Sequence, residues 1–98
     1  MLDINNCIVV VIDVQGNLAK VVADAELINE NVRKFVQGSL ELNLPIFLTA
    51  QAPEKIGHTS DTIRNLLANH YEYPRTSFSI WQDDPLRNAI LQSNKKQV

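Results

Sequence analysis

The run Cys7-Ile8-Val9-Val10-Val11-Ile12, followed by Asp13-Val14-Gln15, constrains this chain more than any other stretch. A strand with one wet face alternates apolar and polar residues. Here branched aliphatics are offered to both faces, the pattern of a strand covered on both sides. The expectation is a central parallel strand. Its apolar character stops at Asp13 and Gln15, and in open α/β sheets ligands sit outside the carboxyl ends of the strands. The buried rail and the chemical end therefore belong to one segment.

After the turn signal Gly16-Asn17, residues 18–23 read as a loop or a short helical turn. Asp24 then caps a helix with Glu26 in its first turn. Ile28, Val32, Phe35, Val36, Ser39 and Leu40 recur at helical spacing and are expected to face inward, with Glu30, Arg33, Lys34, Gln37 and Glu41 on the wet side. Asn43 tolerates a left-handed cap and Pro45 cannot continue the helix, so it stops there. Residues 45–49 predict a second strand opened by proline. Residues 50–59, rich in Pro, Gly and polar side chains, predict a surface loop at the same edge as Asp13.

Thr59 or Ser60 caps a second helix in which Ile63, Leu66, Leu67 and His70 share a face. Residues 71–73 are the candidate third strand. Asp84-Pro85 opens the last helix, with Asp84 as cap, Pro85 in the first helical position, and Leu86, Ala89, Ile90 and Leu91 turned inward as far as Ser93-Asn94. Strand-helix alternation of this kind implies an α/β fold with a parallel sheet and right-handed crossovers. The last helix is a crossover with no strand after it, and Gln97-Val98 reads as the opening of one. The chain is thus expected to be a single domain, residues 1–98, forming the amino-terminal portion of a larger fold.

Composition narrows the function classes. With 45% hydrophobic residues, 20% charged residues and a formal net charge of -2, the chain is neither disordered nor membrane-spanning, and residues 7–14 are too short for a bilayer helix. There is no basic stripe beyond Lys95-Lys96, so nucleic acid is not the expected partner. One cysteine cannot form an internal disulfide, and no charged-then-apolar leader precedes the first strand, which favours the cytoplasm.

Asp13 reads either as a general acid or base tuned by partial desolvation, or as a turn cap at the strand exit. Arg75 is the best cationic candidate; it could orient or neutralise an anion but not shuttle protons, and a plain surface arginine is the competing reading. Cys7 enters the first strand at the edge opposite Asp13 and reads as a buried, inert thiol. His58 and His70 have no metal-ligand spacing with each other or with Cys7. Isolated Gly16 and Gly57 form neither a dinucleotide fingerprint nor a phosphate loop, and no Gly-x-Ser-x-Gly elbow serves Ser77 or Ser79. Tyr73 and Phe78 read as packing residues, while Trp81 beside Ser79 can line a pocket.

Four segments in order, Val11-Ile12-Asp13-Val14-Gln15, Leu44-Pro45-Ile46-Phe47-Leu48-Thr49-Ala50-Gln51, Pro53-Glu54-Lys55-Ile56-Gly57-His58-Thr59 and Pro74-Arg75-Thr76-Ser77-Phe78-Ser79, resemble the successive motifs of the isochorismatase-like cysteine hydrolases. The resemblance implies a three-layer α/β/α fold with a six-stranded parallel sheet. It also implies an Asp-Lys-Cys triad that hydrolyses an amide or related bond in a small molecule through a covalent cysteine intermediate. Asp13 matches the family aspartate, and Arg75 stands where the lysine is expected. Gln51 and the loop after it match the pocket region, to which Gln15, Ser79 and Trp81 are added as substrate-binding candidates. The family cysteine lies beyond the fourth strand, and Cys7 does not correspond to it. The histidine pattern of the family's metal-binding nicotinamidases is missing, so no metal or other cofactor is implied. Self-association is expected from the resemblance and from an unfinished sheet edge. The competing readings are a non-catalytic binding or assembly protein on the same fold, and a flavodoxin-like or receiver-like domain, which lacks support from any acidic cluster or phosphate loop.

Overall fold

The apolar run near the start of the chain forms strand β1 (Val9–Ile12), whose alternate residues serve two separate cores. The computed structural model describes residues 1–16 and 23–98. β1 is joined by β2 (Ile46–Gln51) and β3 (Glu72–Arg75) in a parallel sheet of order β1-β2-β3. Val9 pairs with Ile46 and Ile12 with Thr49, while Leu48 pairs with Glu72 and Gln51 with Arg75. Between these strands lie helices α1 (Ala25–Glu41), α2 (Pro53–Ile56) and α3 (Asp61–Leu66), and α4 (Asp84–Gln92) follows β3.

Side-chain alternation makes this sheet the middle of three layers. Val9 and Val11 of β1 join Ile46 and Leu48 of β2 against Val36 of α1 and against Ile63 and Leu67 at α3. Ile8, Val10, Phe47 and Tyr73 point the other way and meet Leu86 and Ile90 of α4. The expected α/β architecture, a parallel sheet covered by helices on both faces, is the observed one.

Several local expectations need correction. Among the described residues β2 occupies the middle of the strand order and β1 stands at one end of it. Apolar residues on both faces report helical cover above and below the sheet, and they carry no information on neighbours in its plane. The outer side of β1 does meet one residue: Cys7 and Gln97 form a parallel bridge in which the Ile8 N–H donates to the Gln97 carbonyl at 2.9 Å. β2 extends past Thr49 to Gln51, and α2 occupies part of the expected loop. β3 is displaced along the chain to include Pro74 and Arg75 and to exclude Tyr71, which is exposed; as the last strand in the order it tolerates the missing N–H of proline. Residues 18–22 lie outside the described residues, so that expectation is left there.

Helix faces and caps also differ. On α1, Val36 and Ser39 are buried and Val32 and Leu40 pack beside them, but Ile28 and Phe35 are exposed. Each successive residue turns by about 100° along a helix, so Phe35 stands well round from Val36 despite sharing its apolar character. Asp24 makes no side-chain cap; it adopts a left-handed φ of 57°, and its carbonyl accepts from Ile28 N–H. Asn43 does take the expected left-handed conformation, with φ 58°, just beyond the helix. Ser60 precedes α3 without a hydroxyl cap. Asp83 rather than Asp84 caps α4, accepting from Leu86 N–H, which moves Pro85 to the second helical position. Leu91 is exposed while Leu86 and Ile90 are buried, since i and i+4 share the inner face and i+5 does not.

Candidate functional site at the carboxyl edge of the sheet

Parallel strands place their carboxyl ends side by side, and that brings Asp13 and Arg75 together from opposite sides of β2. Asp13 follows β1 in a left-handed conformation, φ 58°, which short polar side chains tolerate better than most. Its N–H still donates to Thr49 O at 3.2 Å, so the residue leaves the sheet while tied to β2. Arg75, the last residue of β3, donates from Nη1 to Asp13 Oδ1 and from Nη2 to Asp13 Oδ2, both at 2.7 Å. This is the planar two-point match between guanidinium and carboxylate. The arginine side chain is 4% exposed and the aspartate 26%, so the pair is anchored in protein at one end and wet at the other. The Arg75 Nε–H is buried without a partner. Each carboxylate oxygen retains a further lone pair beyond the one facing the arginine.

Gln15 is fully buried and stitches three segments together at this edge. Its Nε2 donates to Gln51 O and Gly57 O, at 2.9 and 2.6 Å, while its Oε1 accepts from Gln51 N–H at 2.9 Å. The amide is thus spent on backbone. Gly57 has φ 106°, a conformation open to glycine and strained for other residues, and it turns the chain from α2 towards His58. Gly16 N–H donates to His58 O, and Ser60 N–H donates to Val14 O, so the loop after α2 is laced to the exit of β1.

Sequence reasoning missed Glu72. Its carboxylate accepts from Thr59 N–H at 2.9 Å and meets Nδ1 of His58, joining the start of β3 to the loop. Burial pushes the Glu72 carboxyl up, but the His58 contact and the Thr59 backbone N–H outweigh it and hold the group below the usual carboxylate value. The available signal was a lone charged residue between two aromatic ones, Tyr71-Glu72-Tyr73. Among the described residues no group of three or more His, Cys, Asp or Glu side chains could hold a metal ion.

Ser79 and Trp81 make no hydrogen bond to the ion pair. Ser79 caps a 3-10 turn at Ile80–Gln82, accepting from Trp81 N–H, and Trp81 is half exposed. A cavity of about 240 Å³ adjoins Arg75, lined also by Ala52, Pro53, Glu54, Pro74, Thr76 and Asp83. Cys7 is buried at the opposite end of β1, its Sγ directed at Gln97 Oε1.

A three-layer α/β fold defines the class of this molecule, and solved structures share that fold. YcaC from Escherichia coli, described as an octameric hydrolase of unknown specificity, superposes with a TM-score of 0.87 at 22% identity, covering 97% of this chain and 48% of that one. MAR1 ribonuclease from Caenorhabditis elegans gives 0.81 at 25% identity, over 92% of this chain and 47% of that one. YcaC from Pseudomonas aeruginosa, solved with hexane-2,5-diol and covalent acrylamide, gives 0.83 at 19% identity and covers 97% and 49%. The chain therefore spans about half the length of these proteins. No protein-family model matches it, and no curated protein matches it in sequence.

Proposed function

We propose that this chain is an isochorismatase-family hydrolase-like protein whose site is built on Asp13 and Arg75, acting on an amide or related bond of a small molecule. The nucleophilic cysteine is not among these 98 residues. The observation that carries the reading is the two-point Asp13-Arg75 bridge at the sheet edge where this fold places ligands. The shared fold with YcaC supports it. In the chemistry that the resemblance implies, the thiol proton passes to the aspartate, sulfur bonds to the carbonyl carbon, the C–N bond breaks with the amine taking up a proton, and water releases the acid. Asp13 has lone pairs left to accept that proton. Arg75 cannot release one, so its part is to hold Asp13 in place. Gln15 and Gln51 shape the loop beside the pair, and Ser79 and Trp81 are the remaining substrate-binding residues of this proposal.

A second reading, a non-catalytic binding or assembly protein, is favoured by that same arginine, since a lysine could take part in proton traffic and Arg75 cannot. Under either reading the partners are a small molecule and further copies of the chain, in line with the octameric state of the Escherichia coli protein. Nine basic against eleven acidic residues argue against transfer of the ribonuclease activity of MAR1. No described helix is long and apolar enough to cross a membrane, and the unpaired Cys7 suits a reducing compartment such as the cytoplasm.

The test has two arms. Intact mass and sequence of the natural product are compared with the 11.0 kDa of this chain. A product that continues into an apolar strand followed by a cysteine at a helix start supports the hydrolase reading; one that stops at Val98 hands the case to the binding reading. In the second arm the 98-residue chain is mixed with small amides, and mass spectrometry looks for an acyl adduct. None is expected, and an adduct on Cys7 would overturn the assignment of the site.

A further inference from the structure

We propose that His58 is a nucleophilic imidazole whose Nε2 takes an acyl group from a neutral activated ester, with Glu72 as the residue that positions it. The inference goes beyond the hydrolase reading above and shares no residue with it. Glu72 stands on β3, at the other end of the strand order from β1, beside which Gln97 pairs. Its side chain is 11% exposed and that of His58 53%, so a carboxylate set in the protein holds a ring that reaches solvent. Both carboxylate oxygens are engaged: Oε2 accepts from Thr59 N–H at 2.9 Å and Oε1 meets His58 Nδ1. The backbone beneath the ring is tied down, since His58 O accepts from Gly16 N–H and the next residue, Thr59, is buried.

The contact with Glu72 decides where the imidazole carries its proton. An ionised carboxylate can only accept, and the partners of Glu72 keep it ionised at neutral pH, so the shared hydrogen belongs to Nδ1. In the neutral ring Nε2 is then bare, and it makes no hydrogen bond among the described residues. Attack through Nε2 places positive charge on the ring, and Glu72 faces that charge from the Nδ1 side, as the carboxylate of a serine-protease triad does. His70, the chain's other histidine, has no such support: its Nδ1 is buried without a partner.

In the first step Nε2 bonds to the carbonyl carbon, and the C–O bond to the leaving group breaks with both electrons going to an aryl oxide. The Nδ1 proton stays on the ring against Glu72. Water then adds to the acyl carbon and gives its proton to solvent, the C–N bond breaks with its electrons returning to Nε2, and the acid is released. An aryl oxide leaves without a proton whereas an amine must take one up, so the donor is an activated ester and not an amide. Charge narrows the class further. His58 lines a cleft of about 780 Å³ with Glu26, Glu30, Asp61 and Arg64. Glu30 is neutralised by Arg33, which leaves two carboxylates against one guanidinium and disfavours an anionic donor.

The 98-residue chain is incubated with para-nitrophenyl acetate and release of the phenolate is followed by absorbance. Release above the buffer rate is expected, lost in His58→Ala and unchanged in His70→Ala. Glu72→Gln separates a positioned imidazole from one that is merely exposed. Thr59 N–H needs an acceptor, so the new amide keeps its oxygen there and turns its amino group to Nδ1, which forces the ring proton onto Nε2. The rate should fall about tenfold or more with circular dichroism unchanged. Nitrogen NMR of the neutral imidazole should show a bare Nε2 in the parent and a protonated one in Glu72→Gln. Turnover retained in His58→Ala, equal rates for the parent and Glu72→Gln, or a parent ring protonated on Nε2 overturns the proposal. Faster hydrolysis of the anionic para-nitrophenyl monoester of succinate overturns the neutral-donor class. The hydrolase reading stands or falls separately, on the natural product's length and on Cys7.

Discussion

Asp13→Ala should destabilise the chain more than Arg75→Met, although both delete the same ion pair. The reason lies in what each leaves behind. Asp13→Ala strands a guanidinium whose side chain is 4% exposed and whose Nε already lacks a partner. Removing one member of a buried pair costs about 3–5 kcal/mol, and this case falls in that range. Arg75→Met keeps most of the buried volume and leaves a carboxylate that is 26% exposed, which water can partly solvate. Its cost is about 1–3 kcal/mol, below the fully buried case. The double variant should lose less than the sum, by roughly 2 kcal/mol or more, because no unpaired charge remains. Urea unfolding, analysed by linear extrapolation, reads all four points of the cycle. A chain of this length has a total stability of roughly 5–15 kcal/mol, so the Asp13→Ala loss is measurable without abolishing folding at the upper end. If the two single changes prove additive, or if Asp13→Ala costs under about 1 kcal/mol, the buried-pair argument is refuted.

Three further outcomes follow from named contacts. Glu72 titrates below its ordinary 4.5 in the folded chain, so its contribution is lost as pH falls through the folded value; the stability gap between wild type and Glu72→Gln, measured by unfolding at successive pH values, should narrow below pH 4.5. Gln15→Leu strands Gln51 N–H and the Gln51 and Gly57 carbonyls, and should cost about 2–4 kcal/mol while making the loop after β2 more sensitive to protease, with an unchanged cleavage rate counting against the stitching role. Asp83→Ala should cost about 1 kcal/mol through loss of the α4 cap, whereas Asp84→Ala should be nearly neutral; the reverse order in thermal unfolding would return the cap to Asp84.

Much of the layer structure was legible from residue patterns because it depends on local periodicity. A run apolar on both faces reads as a strand between two layers, and β1 behaves that way, with odd residues meeting α1 and α3 and even residues meeting α4. Asn43 and Pro45 punctuated the end of α1 through conformational limits that operate without tertiary contacts. The choice between neighbouring capping aspartates was not legible, since Asp83 and Asp84 have the same chemistry and only backbone geometry separates them.

Sequence by itself determined the α/β class, the alternation of elements and the position of Asp13 at a strand exit, because apolar period, turn residues and backbone-restricting prolines act over a few residues. Tertiary structure alone decided the strand order, the pairing of Asp13 with Arg75 across β2, and the lacing of Gln15 and Glu72 to one loop. Those contacts join residues up to 62 positions apart, and a pattern read along the chain carries no term for which distant groups the sheet brings within bonding distance.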